Sequence, residues 1–164
     1  MQNIITNRLE LRKFNSSDTE PYAKIMTNPE VYKYLGTGNE ITYENAIKII
    51  PRWESVWEKG YGVFAVIEKS SDTLIGHCGI QPLPDGKIEL LYAYDPSAWG
   101  KGYATEAGKA VLEYGKKHFD YEEIYAISYP QNKGSISVIN KLGFEYTGQG
   151  EFFGVMFEIY KIVL

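Results

Sequence analysis

The stretch Glu89–Ala107, ELLYAYDPSAWGKGYATEA, decides how this chain is read. It begins inside KIELLYAYD (Lys87–Asp95), an apolar and aromatic run with the look of a strand. It ends inside a helix. Ala104, Ala107, Gly108, Val111, Leu112, Gly115 and His118 share one helical face, while Glu106, Lys109, Glu113, Lys116 and Lys117 fall elsewhere. Between strand and helix, Gly100 and Gly102 flank Lys101. A helix N-terminus leaves backbone N–H groups unpaired and carries positive partial charge. If the two glycines let the backbone curl tightly, several N–H groups converge on one anion and Lys101 adds its charge. The same spacing also serves a plain turn that needs glycine for a positive φ, and spacing alone leaves both readings open. A nucleotide P-loop needs a longer glycine spacing followed by Lys-Ser or Lys-Thr. A dinucleotide fold needs a third glycine, where Thr105 stands, and further βα units.

Working outward, EEIYAISY (Glu122–Tyr129) reads as a strand. A strand, a long helix and a strand predict a parallel pair joined by a right-handed crossover. SISVINKLGF (Ser135–Phe144) predicts a short helix stopped by Gly143, and EFFGVMFEIYKIVL (Glu151–Leu164) is β-rich. Toward the other end, YGVFAVIEK (Tyr61–Lys69) and TLIGHCGIQPL (Thr73–Leu83) read as strands, and Asp85-Gly86 as a hairpin turn. RLELRKF (Arg8–Phe14) alternates apolar and charged residues, the pattern of a half-buried strand. Ser17 and Glu20 have capping-box spacing and predict a helix through about Met26. PEVYKYLG (Pro29–Gly36) predicts a helical turn or two. Thr42 is placed to cap a longer helix with Ala46, Ile49, Ile50, Trp53 and Trp57, which Pro51 should kink or split. The expected class is a mixed α+β sheet: early helices, an antiparallel meander, then one parallel crossover.

The chain has 164 residues, which fits one domain over 1–164. Its net charge of -4 argues against a nucleic-acid partner, and only weakly favours a cationic substrate. A lone cysteine, Cys78, forms no internal disulfide. The opening MQNIITNRLE lacks the features of a leader, and no apolar run approaches the ~18 residues of a membrane span. A cytoplasmic protein with no membrane partner is expected, as a monomer or homodimer.

ELLYAYDPSAWGKGYATEA resembles motif A of the GNAT N-acetyltransferases, closest to the RimJ/RimL-like branch that acetylates ribosomal-protein N-termini. TNRLELRKF with NPEVYKYLG is similar to that branch's N-terminal signature, and NKGSISVINKLGFEYTG to its motif B. The resemblance implies a mostly antiparallel mixed sheet splayed between two parallel strands, with acetyl-CoA in the gap; no metal is expected, because His77 and His118 are too few for a metal site. The family pattern Gln/Arg-x-x-Gly-x-Gly/Ala falls on Trp99, Gly100, Lys101, Gly102, Tyr103 and Ala104, with Trp99 departing from the usual first residue. It implies that the amides from Gly100 to Thr105 hold the cofactor's diphosphate. Tyr92, Ala93 and Tyr94 would then present strand backbone to the pantetheine and the acetyl carbonyl. Asn132 would touch the pantetheine, and Ser135 would return a proton to the departing thiolate. Both residues also suit a plain helix cap. Many relatives carry a Tyr on this helix where Ile139 stands here, which leaves the acid open.

An amine attacks a thioester only when deprotonated, so a base helps. Glu89 is a carboxylate inside an apolar strand; it reads either as that base or as a solvent-facing strand residue, and Glu151 and Glu158 are further candidates. Cys78 reads as a buried small apolar residue, without a partner for covalent chemistry. Tyr32, Tyr34, Trp53, Trp57, Tyr61 and Phe64 suit either an acceptor pocket or a core. The expected function is acetyl transfer from acetyl-CoA to a primary amine, such as a protein N-terminus. The alternatives are a small amine acceptor (polyamine, amino acid or drug) and a non-catalytic acyl-CoA-binding module.

Overall fold

A computed structural model describes residues 3–164; Met1 and Gln2, the first residues of the stretch expected to lack a leader, lie outside it. The chain opens with strands β1 (Ile4–Ile5) and β2 (Leu9–Arg12). Four helices follow: α1 (Thr19–Met26), α2 (Pro29–Tyr32), α3 (Tyr43–Ala46) and α4 (Ile49–Glu58). Next come β3 (Gly62–Glu68), β4 (Thr73–Pro82) and β5 (Ile88–Tyr94). Helix α5 (Tyr103–His118), β6 (Glu123–Ser128) and α6 (Lys133–Lys141) lead to the last hairpin, β7 (Glu145–Phe152) and β8 (Val155–Val163). The strands form one 8-stranded sheet of order β1-β2-β3-β4-β5-β6-β8-β7. Its neighbours are antiparallel except β5 and β6, which are parallel and joined through α5. Among the described residues, no helix is long and apolar enough to cross a membrane.

Helices cover both faces of the central strands, so β3 and β4 are buried almost throughout and lack simple alternation. Val63, Ala65 and Ile67 pack with Tyr22, Ile50 and Trp53 on one face. Phe64 and Val66 pack with Val111, Leu112 and Ile124 on the other. Burying a side chain of the size of Phe64 contributes ~1.5–3 kcal/mol.

One local expectation is corrected and another is made more exact. The capping box forms at Asn15 and Asp18, not at Ser17 and Glu20. Asn15 Oδ1 accepts the Ser17 N–H (2.9 Å), and the Asp18 carboxylate accepts the Asn15 N–H (2.8 Å). Buried Asp18 also receives both guanidinium nitrogens of Arg12, at 2.7 and 2.9 Å. That tertiary pairing selects the earlier box, and Arg12 is held above the usual arginine range chiefly by the bond to Asp18. Thr42 caps a helix, accepting from the Asn45 N–H, and the helix is split as expected into α3 and α4, with the break falling ahead of Pro51. Pro51 then lies in the first turn of α4, where a missing N–H breaks no helical bond.

Strand β5 follows β4 continuously, from Gly76↔Tyr94 to Pro82↔Ile88, without a bulge. Strand β6 follows β8 along its whole length. Between β5 and β6 only Glu89↔Tyr125 is in register. Beyond Glu89 the two strands separate, and a gap opens in the sheet.

Candidate active site

The turn at the mouth of the gap is built by backbone conformation. Gly100 and Gly102 take φ of 72° and 80°, values that glycine alone adopts without strain. The N–H groups of Ala98 and Trp99 close a short turn onto Asp95 and Pro96. From Gly100 to Thr105 no backbone N–H finds a partner among the described residues; the next, from Glu106, bonds the Gly102 carbonyl. The first turn of α5 therefore adds its free donors to those of the loop. A Cβ on Gly100 would meet nothing within 4 Å, and one on Gly102 only the Arg8 guanidinium at 3.4 Å. The loop thus carries a run of free donors with open space beside Gly100, which fits an anion such as a diphosphate.

The turn between β1 and β2 braces this loop. Thr6 Oγ1 (2.6 Å) and the Arg8 N–H (2.8 Å) both donate to Glu106 Oε1, and Arg8 Nε donates to Oε2 (2.7 Å). Arg8 Nη1 donates to the Lys101 carbonyl (2.8 Å), and the guanidinium lies 4.5 Å from the centre of the Tyr103 ring. The Tyr103 hydroxyl donates to Glu68. Sequence reasoning singled out the TNRLELR stretch but not these roles; a charged pair so distant in sequence carries no local signal.

One cavity of about 1020 Å³ joins the loop to the gap. Every residue singled out for cofactor binding lines it except Lys101: Tyr92, Ala93 and Tyr94 from β5, Trp99 to Thr105 from the loop and α5, and Asn132 from the start of α6. Lys101 is exposed and does not line the cavity. Trp99 is half exposed and anchors itself by donating Nε1–H to the Tyr94 carbonyl (2.9 Å).

Glu89 lines the same cavity and is 6% exposed, which corrects the solvent-facing reading. Its register partner on β4 is Gln81, whose Nε2 donates to Glu89 Oε1 at 2.8 Å. Burial pushes the carboxyl up to about 7, against smaller opposing pulls from Gln81 and the Arg52 charge. Such a group is a carboxylate for about half of its time at neutral pH, the condition a general base needs. Glu151 is exposed and Glu158 accepts from Gln149 Nε2 (2.9 Å); neither lines this cavity.

Asn132 caps α6, its Oδ1 accepting the Ser135 N–H at 3.2 Å. Ser135 is therefore not the cap. Its hydroxyl lies 3.0 Å from the Tyr92 hydroxyl, which also reaches the Ser135 carbonyl at 3.2 Å. Tyr92 was singled out for its backbone; its side chain crosses from β5 to α6. Burial raises the Tyr92 phenol and keeps it protonated at neutral pH. Ile139 is buried in α6. A second buried chain runs from Trp53 Nε1–H to the Tyr22 hydroxyl (3.0 Å) and on to His77 Nδ1 (3.0 Å). Burial lowers His77 to about 3, so the ring is neutral at physiological pH. Of the aromatics weighed for an acceptor pocket, Tyr34 and Trp53 line the cavity, whereas Trp57 and Phe64 pack edge to face in the core. Cys78 is fully buried and pushed up to about 12, far from a thiolate. Among the described residues no group of three His, Cys, Asp or Glu side chains gathers as a metal site.

A mixed sheet opened at its one parallel pair, with a glycine-rich helix start at the mouth of the gap, is the GNAT acetyltransferase fold. Residues 8–145 match the family model described as an acetyltransferase (GNAT) domain, and the chain belongs to that family as an N-acetyltransferase. It is 30% identical over 151 residues to the uncharacterized N-acetyltransferase p20 of Bacillus licheniformis, covering 90% of this chain and 85% of p20. A GNAT-family acetyltransferase structure from Bacillus anthracis superposes with a TM-score of 0.83 at 26% identity, covering 99% of this chain and 98% of the other. RimL, a ribosomal L7/L12 alpha-N-protein acetyltransferase solved with coenzyme A, shares the fold with a TM-score of 0.84 at 15% identity, over 99% of this chain and 98% of RimL. Enzymes of this family use acetyl-CoA.

Proposed function

We propose that residues 1–164 act as one domain that transfers the acetyl group of acetyl-CoA to a primary amine, by direct attack in a ternary complex. The observation that carries the reading is the buried carboxylate of Glu89 in the same cavity as the donor-lined loop and Ser135. Acetyl-CoA supplies the activated acyl thioester. The amides from Gly100 to Thr105 hold its diphosphate, and Asn132 and the β5 backbone at Tyr92, Ala93 and Tyr94 guide the pantetheine into the gap. Glu89 removes a proton from the incoming ammonium, directly or through water. An unpaired N–H on β5 stabilises the oxyanion. The amine nitrogen bonds the acetyl carbon as the C–S bond breaks; Ser135 gives its proton to the departing thiolate and recovers one from solvent, while the Tyr92 hydroxyl holds the serine hydroxyl in place. The protein N-terminus acetylated by RimL is one acceptor class to try; small amines are the other. A panel of amines and peptides, scored by thiol release from acetyl-CoA, tests the reading. Cofactor binding without thiol release from any amine would leave only a binding module.

Two variants follow from these roles. Ser135→Ala should lower kcat by ~10²–10⁴-fold with little change in acetyl-CoA affinity. Since Asn132 makes the cap, the melting temperature should barely move. Tyr92→Phe should show a milder form of the same split. A Ser135→Ala enzyme that keeps its kcat removes the serine from proton transfer. Arg8→Ala frees the Lys101 carbonyl and the Glu106 carboxylate. Because Arg8 is partly exposed, the expected loss of acetyl-CoA affinity is modest, roughly fivefold. Calorimetry that finds no loss shows the brace to be dispensable.

A further inference from the structure

We infer that the acceptor of this site is an amine carrying a carboxylate, which Arg52 holds while the amino group faces Glu89. The inference rests on the acetyl-transfer reading above and adds the chemistry of the acceptor. Helix α4 places Arg52 and Trp53 in the wall of the cavity that contains Glu89 and Gln81. The Arg52 guanidinium lies 5.5 Å from the centre of the Trp53 ring. Arg52 is itself exposed where it lines that cavity, and its charge reaches both buried Glu89 and buried Tyr22. Yet among the described residues Arg52 has no ion pair and no hydrogen bond, to Glu89 or to any other group. A cation and an anion thus face one cavity without touching.

The neighbouring charges sharpen the argument. Lys33 is already bound to Glu30, at 2.7 Å. Glu40 lines the cavity but is exposed, and it is not among the groups whose charge acts on Glu89. Arg52 is the charge that Glu89 feels. A polyamine placed with one amine at Glu89 would bring further positive charge toward Arg52. A plain alkylamine would leave the guanidinium without a partner. An amine bearing a carboxylate satisfies both ends, and the planar fork of arginine suits a carboxylate bidentately. The walls of the same cavity also include Met26, Val31 and Ile41, which favour an acceptor with an apolar body.

The test uses the full chain, acetyl-CoA and matched acceptors: L-leucine, L-leucinamide and 3-methylbutylamine, then 4-aminobutyrate against butylamine, with spermidine as the polyamine. Thiol release and the mass of the product give kcat/KM for each. In at least one set the carboxylate-bearing acceptor should exceed its uncharged counterpart by roughly 10- to 100-fold. Leucinamide has the more easily deprotonated amine, so a preference for leucine over it runs against intrinsic reactivity. Arg52→Ala should collapse the ratio toward unity, and Arg52→Glu should turn the preference toward spermidine. A ratio taken within one preparation does not depend on the fraction folded. Equal or lower kcat/KM for the carboxylate member in every set overturns the inference, as does a ratio that survives Arg52→Ala. Turnover confined to peptides or uncharged amines also overturns it, while leaving acetyl transfer standing. Thiol release with no amine at all overturns both.

Discussion

Gly102→Val should weaken acetyl-CoA binding on the order of 100-fold, measured by calorimetry on the folded variant. Gly102 has φ 80°, in the left-handed region, and it is the residue immediately before α5. Left-handed backbone costs an L-residue about 1–2 kcal/mol, and a β-branched side chain suffers most. Relief requires the peptide to turn, and turning redirects the N–H groups that the proposed cradle aims at the diphosphate. Each hydrogen bond lost to a charged oxygen is worth about 1.5–3 kcal/mol. The new Cβ would also stand 3.4 Å from the Arg8 guanidinium, which braces the same loop. Gly100→Ala makes a useful contrast. It shares the positive φ but meets open space, so its loss should be smaller. Unchanged affinity in a folded Gly102→Val protein would remove the phosphate assignment.

The second large effect belongs to Glu89→Gln. The wild-type kcat/KM should rise with pH through about 7 as the buried carboxyl loses its proton. Gln keeps the shape and the oxygen that accepts from Gln81, but it cannot take a proton. The variant should lose ~10²–10⁴-fold at neutral pH, and the defect should shrink at high pH as free amine forms unaided. Stability should move the other way. Glu89 is raised in the folded state, from 4.5 to about 7, so between these values the native protein binds the proton more tightly than the unfolded chain. Wild-type stability therefore falls as pH rises through that window, by roughly 3 kcal/mol in all. Gln escapes this loss, so the variant should melt higher than wild type at pH ~8 while being the poorer catalyst. Superimposable pH–rate profiles would take Glu89 out of the mechanism. A lower melting temperature for the variant at that pH would contradict the burial argument.

Glu89 also shows where sequence reading ends. In KIELLYAYD its face is undecided, because one bulge anywhere in the strand would reverse it. The continuous register with β4 puts it beside Gln81 on a covered face, and that burial is what raises the carboxyl. Likewise Asn132 and Ser135 have equal claims to the cap in NKGS, and the structure divides them, giving Asn132 the cap and turning the Ser135 hydroxyl to Tyr92. The early box went to Asn15 and Asp18 because Arg12, from another element, pairs with Asp18.

The sequence by itself determined the mixed sheet, its single parallel crossover, the glycine loop at the start of α5 and the ordered motifs of the GNAT family. The sheet, the crossover and the loop rest on local terms, namely hydrophobic period, glycine conformational freedom and helix-end donors, each complete within a few residues, whereas the motifs were legible as a resemblance to the family. Tertiary structure alone decided that β5 and β6 part after Glu89↔Tyr125. It also decided that Thr6 and Arg8 close on Glu106, and that Arg52 faces Glu89's cavity without touching it. These are meetings of groups far apart in the chain. Their energies depend on distance, burial and the charges around them, which are properties of the folded packing and not of any stretch of sequence.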